Sequence, residues 1–214
     1  MSCCPYARFA AVVLAAAIIL SANSCTPPGP PAPLAAEDVR FPVPDFKLTE
    51  RSGKPVTRAD LAGKVWVASF VFTRCPGPCP AVTATVARLQ KELADDPAVR
   101  LVTFTVDPER DDPAELRKYA ERYRADPEKW LFLTGPEAEI HKLMTDGFKV
   151  GVAKKAATKP GDEFDHSTRL VVVDKAGNVR GYYDGMKADW DQDGTQFEEG
   201  LAKLKAKVRE LEKE

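Results

Sequence analysis

Two cysteines in one short, proline-rich segment are the residues of this sequence best suited to chemistry. Cys75 and Cys79 enclose Pro-Gly-Pro and are followed directly by Pro80. Pro80 suits the first position of a helix and disfavours helical backbone at the residue before it, which places Cys79 near the N-cap and Cys75 in the preceding loop. The N-terminus of a helix stabilises thiolates through its free N–H groups and its positive dipole end. The sequence therefore predicts two reactive or metal-binding sulfurs rather than a short structural disulfide.

The spacing of the two cysteines favours a shared metal ion. Three residues separate Cys75 from Cys79, one more than in the two-residue spacing of redox dithiol motifs. Two thiolates are soft ligands that favour Cu(I), Zn(II) or iron–sulfur centres, but a cluster ordinarily requires four cysteines. The other three cysteines, Cys3, Cys4 and Cys25, belong to the N-terminal segment. A metal ion bound by the pair then needs a third ligand from elsewhere in the chain.

The chain contains two histidines, and each is a candidate for that third ligand. His141 lies on a predicted helix four residues after Glu137, which is typical of a solvated helix histidine with an acidic neighbour. His166 directly precedes a predicted strand, and loops at strand ends gather around the first strand-to-helix turn in this layout. We predict His166 as the better candidate, with Asp165 either orienting its imidazole or lying just outside the ligands, and a structural hydrogen-bonding role for His166 as the alternative.

The elements that position these residues follow from the spacing of apolar side chains. The segment from Val65 to Phe72 is almost continuously apolar, which is typical of a central strand covered on both faces. After Pro80, apolar residues recur at spacings of four, three and four, which indicates an amphipathic helix. The remaining predicted elements are, in chain order, a hairpin with strands at 46–49 and 55–57, a strand at 99–106, a helix at 112–124, a strand at 130–133, a helix at 136–146, an antiparallel hairpin with strands at 169–173 and 179–183, and a last helix with a capping box formed by Thr195 and Glu198.

The order of these elements predicts the fold class. Strands alternate with helices three times before a final hairpin and helix, which is typical of an α/β sandwich whose central mixed sheet is flanked by helices. The cysteine pair falls at the first turn from a strand into a helix of this alternation. The predicted layout is therefore thioredoxin-like.

Composition and charge exclude several classes of protein. The 214 residues include 31 Lys+Arg and 32 Asp+Glu, a formal net charge of −1, so the chain lacks the basic excess of a nucleic-acid-binding protein. With 44% hydrophobic residues it can bury a core, which excludes wholesale disorder. The apolar run from Phe9 to Leu20 is shorter than the ~20 residues that a membrane-spanning helix requires.

The N-terminal segment indicates export. In residues 1–24 a single charged side chain, Arg8, precedes the apolar run, and small residues follow the run up to Cys25, as in a secretory signal peptide. Cys25 resembles the lipid-attachment cysteine of bacterial lipoproteins, while a soluble exported form and an uncleaved apolar anchor are the alternatives. We predict a signal peptide at 1–24, a proline-rich tether at 25–42 and the folded domain at 43–214.

Four motifs in order resemble the SCO/SenC family of copper chaperones. They are Val-Phe-Thr-Arg-Cys at 71–75, Cys-x-x-x-Cys-Pro at 75–80, Val-Asp-Pro-Glu-Arg-Asp at 106–111 and Asp-His-Ser at 165–167. The resemblance runs from about Phe46 to the last helix. It implies a thioredoxin-like fold and a bound copper ion, as Cu(I) and/or Cu(II), with Cys75, Cys79 and His166 as its ligands. We assign no role to the segment at 106–111.

The resemblance also implies a function, the assembly of the dinuclear copper site of cytochrome c oxidase. The chain is then a copper-delivery factor rather than an enzyme, anchored through its N-terminus to the extracytoplasmic, periplasmic face of a bacterial membrane. Its expected partners are cytochrome c oxidase subunit II or a similar copper acceptor, and other periplasmic copper chaperones. Reversible oxidation of the cysteines supports a second hypothesis, a thiol-disulfide oxidoreductase that reduces the acceptor's cysteines. A peroxide-reducing thiol enzyme is a third.

Overall fold

A computed structural model of the protein describes residues 39–156, 159 and 163–214. The predicted signal peptide at 1–24, the lipid-attachment cysteine Cys25 and the tether up to residue 38 lie outside the described residues and stay predictions. The last two residues of the predicted tether, Phe41–Pro42, form a short strand that pairs near Val179, so the sheet begins inside the segment assigned to the tether. None of the helices in these ranges is long and apolar enough to cross a membrane.

The elements in the described part of the chain follow the predicted order, with three short strands added. In chain order they are β1 (Phe41–Pro42), β2 (Lys47–Glu50), β3 (Pro55–Thr57), β4 (Val65–Val71), α1 (Cys79–Glu92), β5 (Val99–Thr105), α2 (Pro113–Arg122), β6 (Trp130–Thr134), α3 (Glu137–Lys142), β7 (Val152–Lys154), β8 (Phe164–His166), β9 (Arg169–Val173), β10 (Asn178–Asp184) and α4 (Thr195–Leu211). The predicted helix at 136–146 is divided between α3 and a π-helical turn at Leu143–Gly147.

Eight strands form one mixed sheet in the order β1-β10-β9-β4-β5-β6-β2-β3. Strands β4, β5 and β6 run parallel, with Val65 opposite Val99 and Val71 opposite Thr105, and the other pairs are antiparallel. All seven residues of β4 are buried, which confirms the predicted central strand. Because the carboxyl ends of parallel strands share one edge of a sheet, the loops after β4 and β5 lie side by side there.

The helices pack on the sheet through their apolar stripes. In α1, Val82 and Leu89 belong to a stripe that is completely buried. Aromatic rings fill part of the core, where the centroid of Phe104 lies 5.8 Å from that of Phe70 and 5.4 Å from that of Phe148. Burial of each such side chain stabilises the fold by about 1.5–3 kcal/mol. The predicted α/β sandwich with a central mixed sheet is therefore confirmed.

The predicted capping box of α4 is wrong. Thr195 is the first helical residue, and Gly194, with φ of 77°, occupies the N-cap position. The buried carboxylate of Asp191 accepts a hydrogen bond from the N–H of Phe197 at 2.9 Å, and Glu198 forms an ion pair outside its own helix. The N-cap of α4 therefore lies at Gly194, one residue before the predicted Thr195. The positive φ at this position is accessible to glycine but would be strained for threonine.

Candidate metal centre

The cysteine pair lies at the turn from β4 into α1. Helix α1 begins at Cys79, one residue earlier than predicted, with Pro78 at the N-cap and Pro80 at the second helical position. Cys79 is buried, Cys75 is half-buried, and neither cysteine forms a disulfide. The structure therefore places both sulfurs at the N-terminus of a helix, where thiolates are stabilised.

A buried carboxylate holds the base of the cysteine loop, which is the segment at 72–78 that joins β4 to α1. Asp111 accepts hydrogen bonds from the N–H of Thr73 at 3.0 Å and from the hydroxyls of Thr73 and Thr105 at 2.6 Å each. Burial raises the pKa of Asp111, and these hydrogen bonds act in the opposite direction. Asp111 belongs to the segment at 106–111, for which no role was predicted. The feature of the sequence that could have indicated this role is the position of a polar residue soon after the buried strand β5.

His166 reaches the cysteine pair from a second, two-stranded sheet. It is the last residue of β8, which pairs with β7 so that Val152 lies opposite His166, and the predicted loop position of His166 is wrong. Its Nε2 atom lies 3.4 Å from the Sγ atom of Cys79. Its ring packs edge-on against Phe72, with 5.7 Å between centroids. The structure thus brings His166 to the cysteines on a strand.

The backbone orients the imidazole of His166. Its Nδ1 atom lies 3.0 Å from the carbonyl oxygen of Ser167, and because a carbonyl only accepts, Nδ1 carries the proton. Nε2 is then the unprotonated nitrogen, as a metal ligand requires. The prediction that Asp165 orients the ring is wrong. Asp165 is exposed and pairs with Lys155 at 2.8 Å, because successive side chains of a strand face opposite sides.

The three donor atoms form one cluster. The Sγ atoms of Cys75 and Cys79 and a ring nitrogen of His166 all lie within 4.8 Å of one another. Within residues 39–156, 159 and 163–214, no other group of three or more His, Cys, Asp or Glu side chains is arranged to hold a metal ion. Two thiolates and an imidazole suit a soft or borderline ion such as Cu(I) or Zn(II), whereas Mg²⁺ and Ca²⁺ prefer oxygen ligands.

The two sulfurs hold one proton between them at neutral pH. A hydrogen bond from the Cys79 thiol lowers the pKa of Cys75 to about 4 against the opposing effect of burial. The pKa of Cys79 is raised because its thiol donates to the Cys75 sulfur and because its side chain is buried. Cys75 is therefore the thiolate, and a metal ion that binds both sulfurs displaces the proton of Cys79.

His141 lies outside this cluster and has a structural role. Its Nε2 atom lies 3.0 Å from the carbonyl oxygen of Val106, and its half-buried ring packs edge-on against Phe164 with 5.9 Å between centroids. The prediction of a solvated histidine beside Glu137 is wrong, because Glu137 pairs with Lys154 at 3.2 Å. His141 supports the hairpin that carries His166 and contributes no donor atom to the cluster.

An open cavity of about 260 Å³ gives access to the cluster. Cys75 and His166 line it together with the rings of Phe72 and Phe164. Cys79 is buried beneath this surface. A donor atom from another molecule can therefore approach Cys75 and His166 directly, while Cys79 stays covered.

The fold and the cluster define a class of protein. A mixed sheet with flanking helices carries a dithiol at a strand-to-helix turn, and a histidine on a separate hairpin lies beside the two sulfurs. The protein is a thioredoxin-like domain with a candidate site for a soft metal ion.

The chain belongs to the SCO1/SenC family, whose model matches residues 36–193. A curated relative, the SCO1 protein homolog of Bacillus subtilis, is 35% identical over 153 residues, which are 71% of this chain and 78% of the relative. The residues matched by the family model include the cysteine loop, the loop after β5 and the hairpin with His166.

Solved structures of the family are similar over most of the domain. A SCO1/SenC family lipoprotein from Bacillus anthracis is 31% identical with a TM-score of 0.66, over 78% of this chain and 98% of that one. BsSco is 33% identical with a TM-score of 0.63, over 76% of this chain and 94% of that one. It belongs to the Sco family of cytochrome c oxidase assembly proteins, and a disulfide switch was identified in it. Copper-bound ScoI from Bradyrhizobium japonicum is 29% identical with a TM-score of 0.59, over 78% and 99%. The predicted thioredoxin-like fold is confirmed.

Proposed function

We propose that this protein is an extracytoplasmic copper metallochaperone that helps to assemble the dinuclear copper site of cytochrome c oxidase. The observation that carries the proposal is the convergence of Cys75, Cys79 and His166, whose donor atoms lie within 4.8 Å of one another. Two similar proteins support it, since Bradyrhizobium ScoI holds copper and BsSco belongs to a family of cytochrome c oxidase assembly proteins. In this proposal the three side chains are the copper ligands.

The geometry suits capture and release of a copper ion. The Cys75 thiolate meets incoming Cu(I) at the open cavity, Cys79 then loses its proton to solvent and binds, and the unprotonated Nε2 of His166 is the third ligand. Two thiolates and an imidazole leave the ion open to a further donor. A thiolate or imidazole of an acceptor protein enters at that position, and stepwise ligand exchange transfers the ion.

The N-terminal segment gives this function its place in the cell. Cys25 carries the lipid in the proposal, and the proline-rich tether holds the domain at the extracytoplasmic face of the membrane. The similarity to a family lipoprotein of Bacillus anthracis supports lipid attachment. Cytochrome c oxidase subunit II or a similar copper acceptor is the proposed partner, and another periplasmic copper chaperone is the proposed copper source.

Thiol-disulfide exchange is a second candidate function. The pKa of Cys75 is lowered to about 4, chiefly by the hydrogen bond from Cys79, and its sulfur lines the open cavity, whereas Cys79 is covered. An accessible thiolate beside a covered thiol suits attack on an acceptor disulfide, in which the cysteine pair is oxidised to a disulfide and the acceptor is reduced to two thiols. Such exchange does not need His166.

The role of His166 separates the two functions. In a strain that lacks its own copy of this protein, we expect the wild type to restore cytochrome c oxidase activity and the His166→Ala variant to leave it near the level of the deletion strain. The exposed Asp95→Ala variant is the control and should restore activity, because Asp95 is not part of the cluster. Full activity with His166→Ala at equal protein levels would exclude the three-ligand copper function and favour thiol-disulfide exchange.

A further inference from the structure

The hairpin that carries His166 is joined to the rest of the domain mainly through side chains. In the part of the chain that the structure describes, β7 and β8 pair with each other and with no strand of the eight-stranded sheet. Phe164 packs against Phe72 with 5.6 Å between ring centroids. Apolar contact is non-directional and does not by itself fix where the hairpin lies. The position of His166 over the cysteines therefore depends on further contacts.

One ion pair joins the histidine strand directly to the cysteine loop. Arg74 precedes Cys75, and Glu163 lies three residues before His166. The Nη2 atom of Arg74 lies 3.5 Å from the Oε1 atom of Glu163. The side chain of Glu163 is 15% exposed, and its Oε2 atom is buried with no hydrogen-bond partner among the described residues. A carboxylate in this setting is stabilised only where cations face it.

The charge of the same carboxylate also acts on a second arginine. Arg110 pairs with Asp107 at 3.0 Å, and this pair is the main cause of the raised pKa of Arg110, to which the charges of Glu163 and Glu109 add. Arg110 belongs to the segment at 106–111, which also contains Asp111. Glu163 thus pairs with an arginine of the cysteine loop, and its charge also acts on an arginine of the loop after β5.

The other strand of the hairpin is also tied to the domain by charge. The Nζ atom of Lys154, at the end of β7, lies 3.5 Å from Glu109 and 3.2 Å from Glu137. The ion pair between Lys155 and Asp165, in contrast, joins residues of the hairpin to each other. Lys154 ties the hairpin to the loop after β5 and to α3, whereas Glu163 ties it to the segment that carries the cysteines.

We propose that Glu163 is a positioning residue for the copper site, because its ion pair with Arg74 holds the hairpin where His166 faces the two cysteine sulfurs. The inference rests on the proposed copper function, since the effect it assigns to Glu163 is on metal binding. Without the charge of Glu163 the hairpin moves away from Arg74, and His166 spends less time within reach of the ion. Copper is then held by the two sulfurs alone and dissociates faster.

The test is a comparison of two backgrounds. The Cu(I) affinity of the reduced full-length protein is measured against a competing chelator for Glu163→Gln in the wild type and in the His166→Ala variant. We expect about 10- to 100-fold weaker binding in the first background, the usual loss when a group that orients a metal ligand is removed. In the second background we expect a change of less than about twofold, because Glu163 acts through His166.

Two further variants keep the test independent of misfolding. Arg74→Gln should reproduce the loss, and the charge exchange of Arg74→Glu with Glu163→Arg should restore most of the affinity. Asp165→Asn is the matched control, because it removes a charge from the same hairpin but not from its contact with the cysteine loop. It should bind Cu(I) as the wild type does.

Two results would overturn the positioning role of Glu163. Unchanged affinity in Glu163→Gln would show that the ion pair does not hold His166, and equal weakening in both backgrounds would show that Glu163 acts on the fold or the cysteines. A wild type that binds no Cu(I), or whose affinity is the same after His166→Ala, would instead overturn the copper function itself. The two failures are therefore distinguishable.

Discussion

Replacement of Asp111 by alanine is expected to lower the free energy of unfolding by about 3 kcal/mol, because one buried and two half-buried donors lose their shared acceptor. The carboxylate accepts from the N–H and the hydroxyl of Thr73 and from the hydroxyl of Thr105. The Thr105 hydroxyl is already oriented, since it accepts from the N–H of Asp107 at 3.0 Å. Each buried group left without a partner costs about 1–3 kcal/mol.

Urea denaturation followed by circular dichroism measures this loss. The exposed Asp95→Ala variant is the matched control and should stay within about 0.5 kcal/mol of the wild type. Since Thr73 lies two residues before Cys75, Asp111→Ala should also bind Cu(I) more weakly, and Asp111→Asn, which keeps one acceptor oxygen, should lose less of both properties. An Asp111→Ala variant as stable as Asp95→Ala would contradict the assigned role.

Replacement of Gly185 by alanine is expected to disturb the fold and the candidate copper site together. A Cβ at this position would lie 2.3 Å from the carbonyl oxygen of Thr168 and 3.2 Å from Cγ1 of Val82. The carbonyl belongs to the backbone and accepts a hydrogen bond from the N–H of Gly185 at 3.1 Å, so the chain must shift. Thr168 lies two residues after His166, and Val82 lies three after Cys79, so the shift reaches both ligand-bearing elements.

We expect Gly185→Ala to lose about 1–3 kcal/mol of stability, as overpacked sites usually do, and to bind Cu(I) more weakly than the wild type. Gly200→Ala is the matched control. A Cβ at Gly200 meets no atom within 4 Å, and alanine inside a helix is favoured over glycine by up to about 1 kcal/mol, so α4 should become slightly more stable. Unchanged stability and copper affinity in Gly185→Ala would show that the close approach at Thr168 does not matter.

The elements with a strong local signal could be predicted from the sequence. The continuous apolar run from Val65 to Phe72 has the composition of a central strand, and β4 occupies it apart from the last residue. The prolines around the cysteine pair placed Cys79 at the start of a helix to within one residue. In both cases the residues that determine the element are neighbours in the chain.

The hairpin of β7 and β8 could not be predicted, because the residues that determine it are not neighbours in the chain. Each strand has three residues, and the contacts that hold them join Phe164 to Phe72 and Lys154 to Glu109 and Glu137, far apart in sequence. Strand geometry also explains why the prediction that Asp165 orients the imidazole of His166 is wrong. Asp165 is adjacent to His166 in sequence, but its side chain faces the other side of the strand.

The proposed ligand set depended on the family resemblance as well as on the residues. From the sequence pattern alone, His141 and His166 were both open as partners of the cysteines. The fold gives the two histidines different positions. The backbone carbonyl of Ser167 orients His166 beside the cysteines, whereas the backbone carbonyl of Val106 hydrogen-bonds to His141. Backbone acceptors of this kind leave no mark in the side-chain pattern.

The central claim is that Cys75, Cys79 and His166 hold one copper ion. Anaerobic titration of the reduced full-length protein with Cu(I) against a competing chelator tests it most directly, with Cys75→Ser, Cys79→Ser and His166→Ala measured alongside. We expect one tight site per chain that is weakened in every variant by more than about 100-fold, beyond the loss for groups that only orient a ligand. The absence of a tight site, or a tight site indifferent to His166, would contradict the claim.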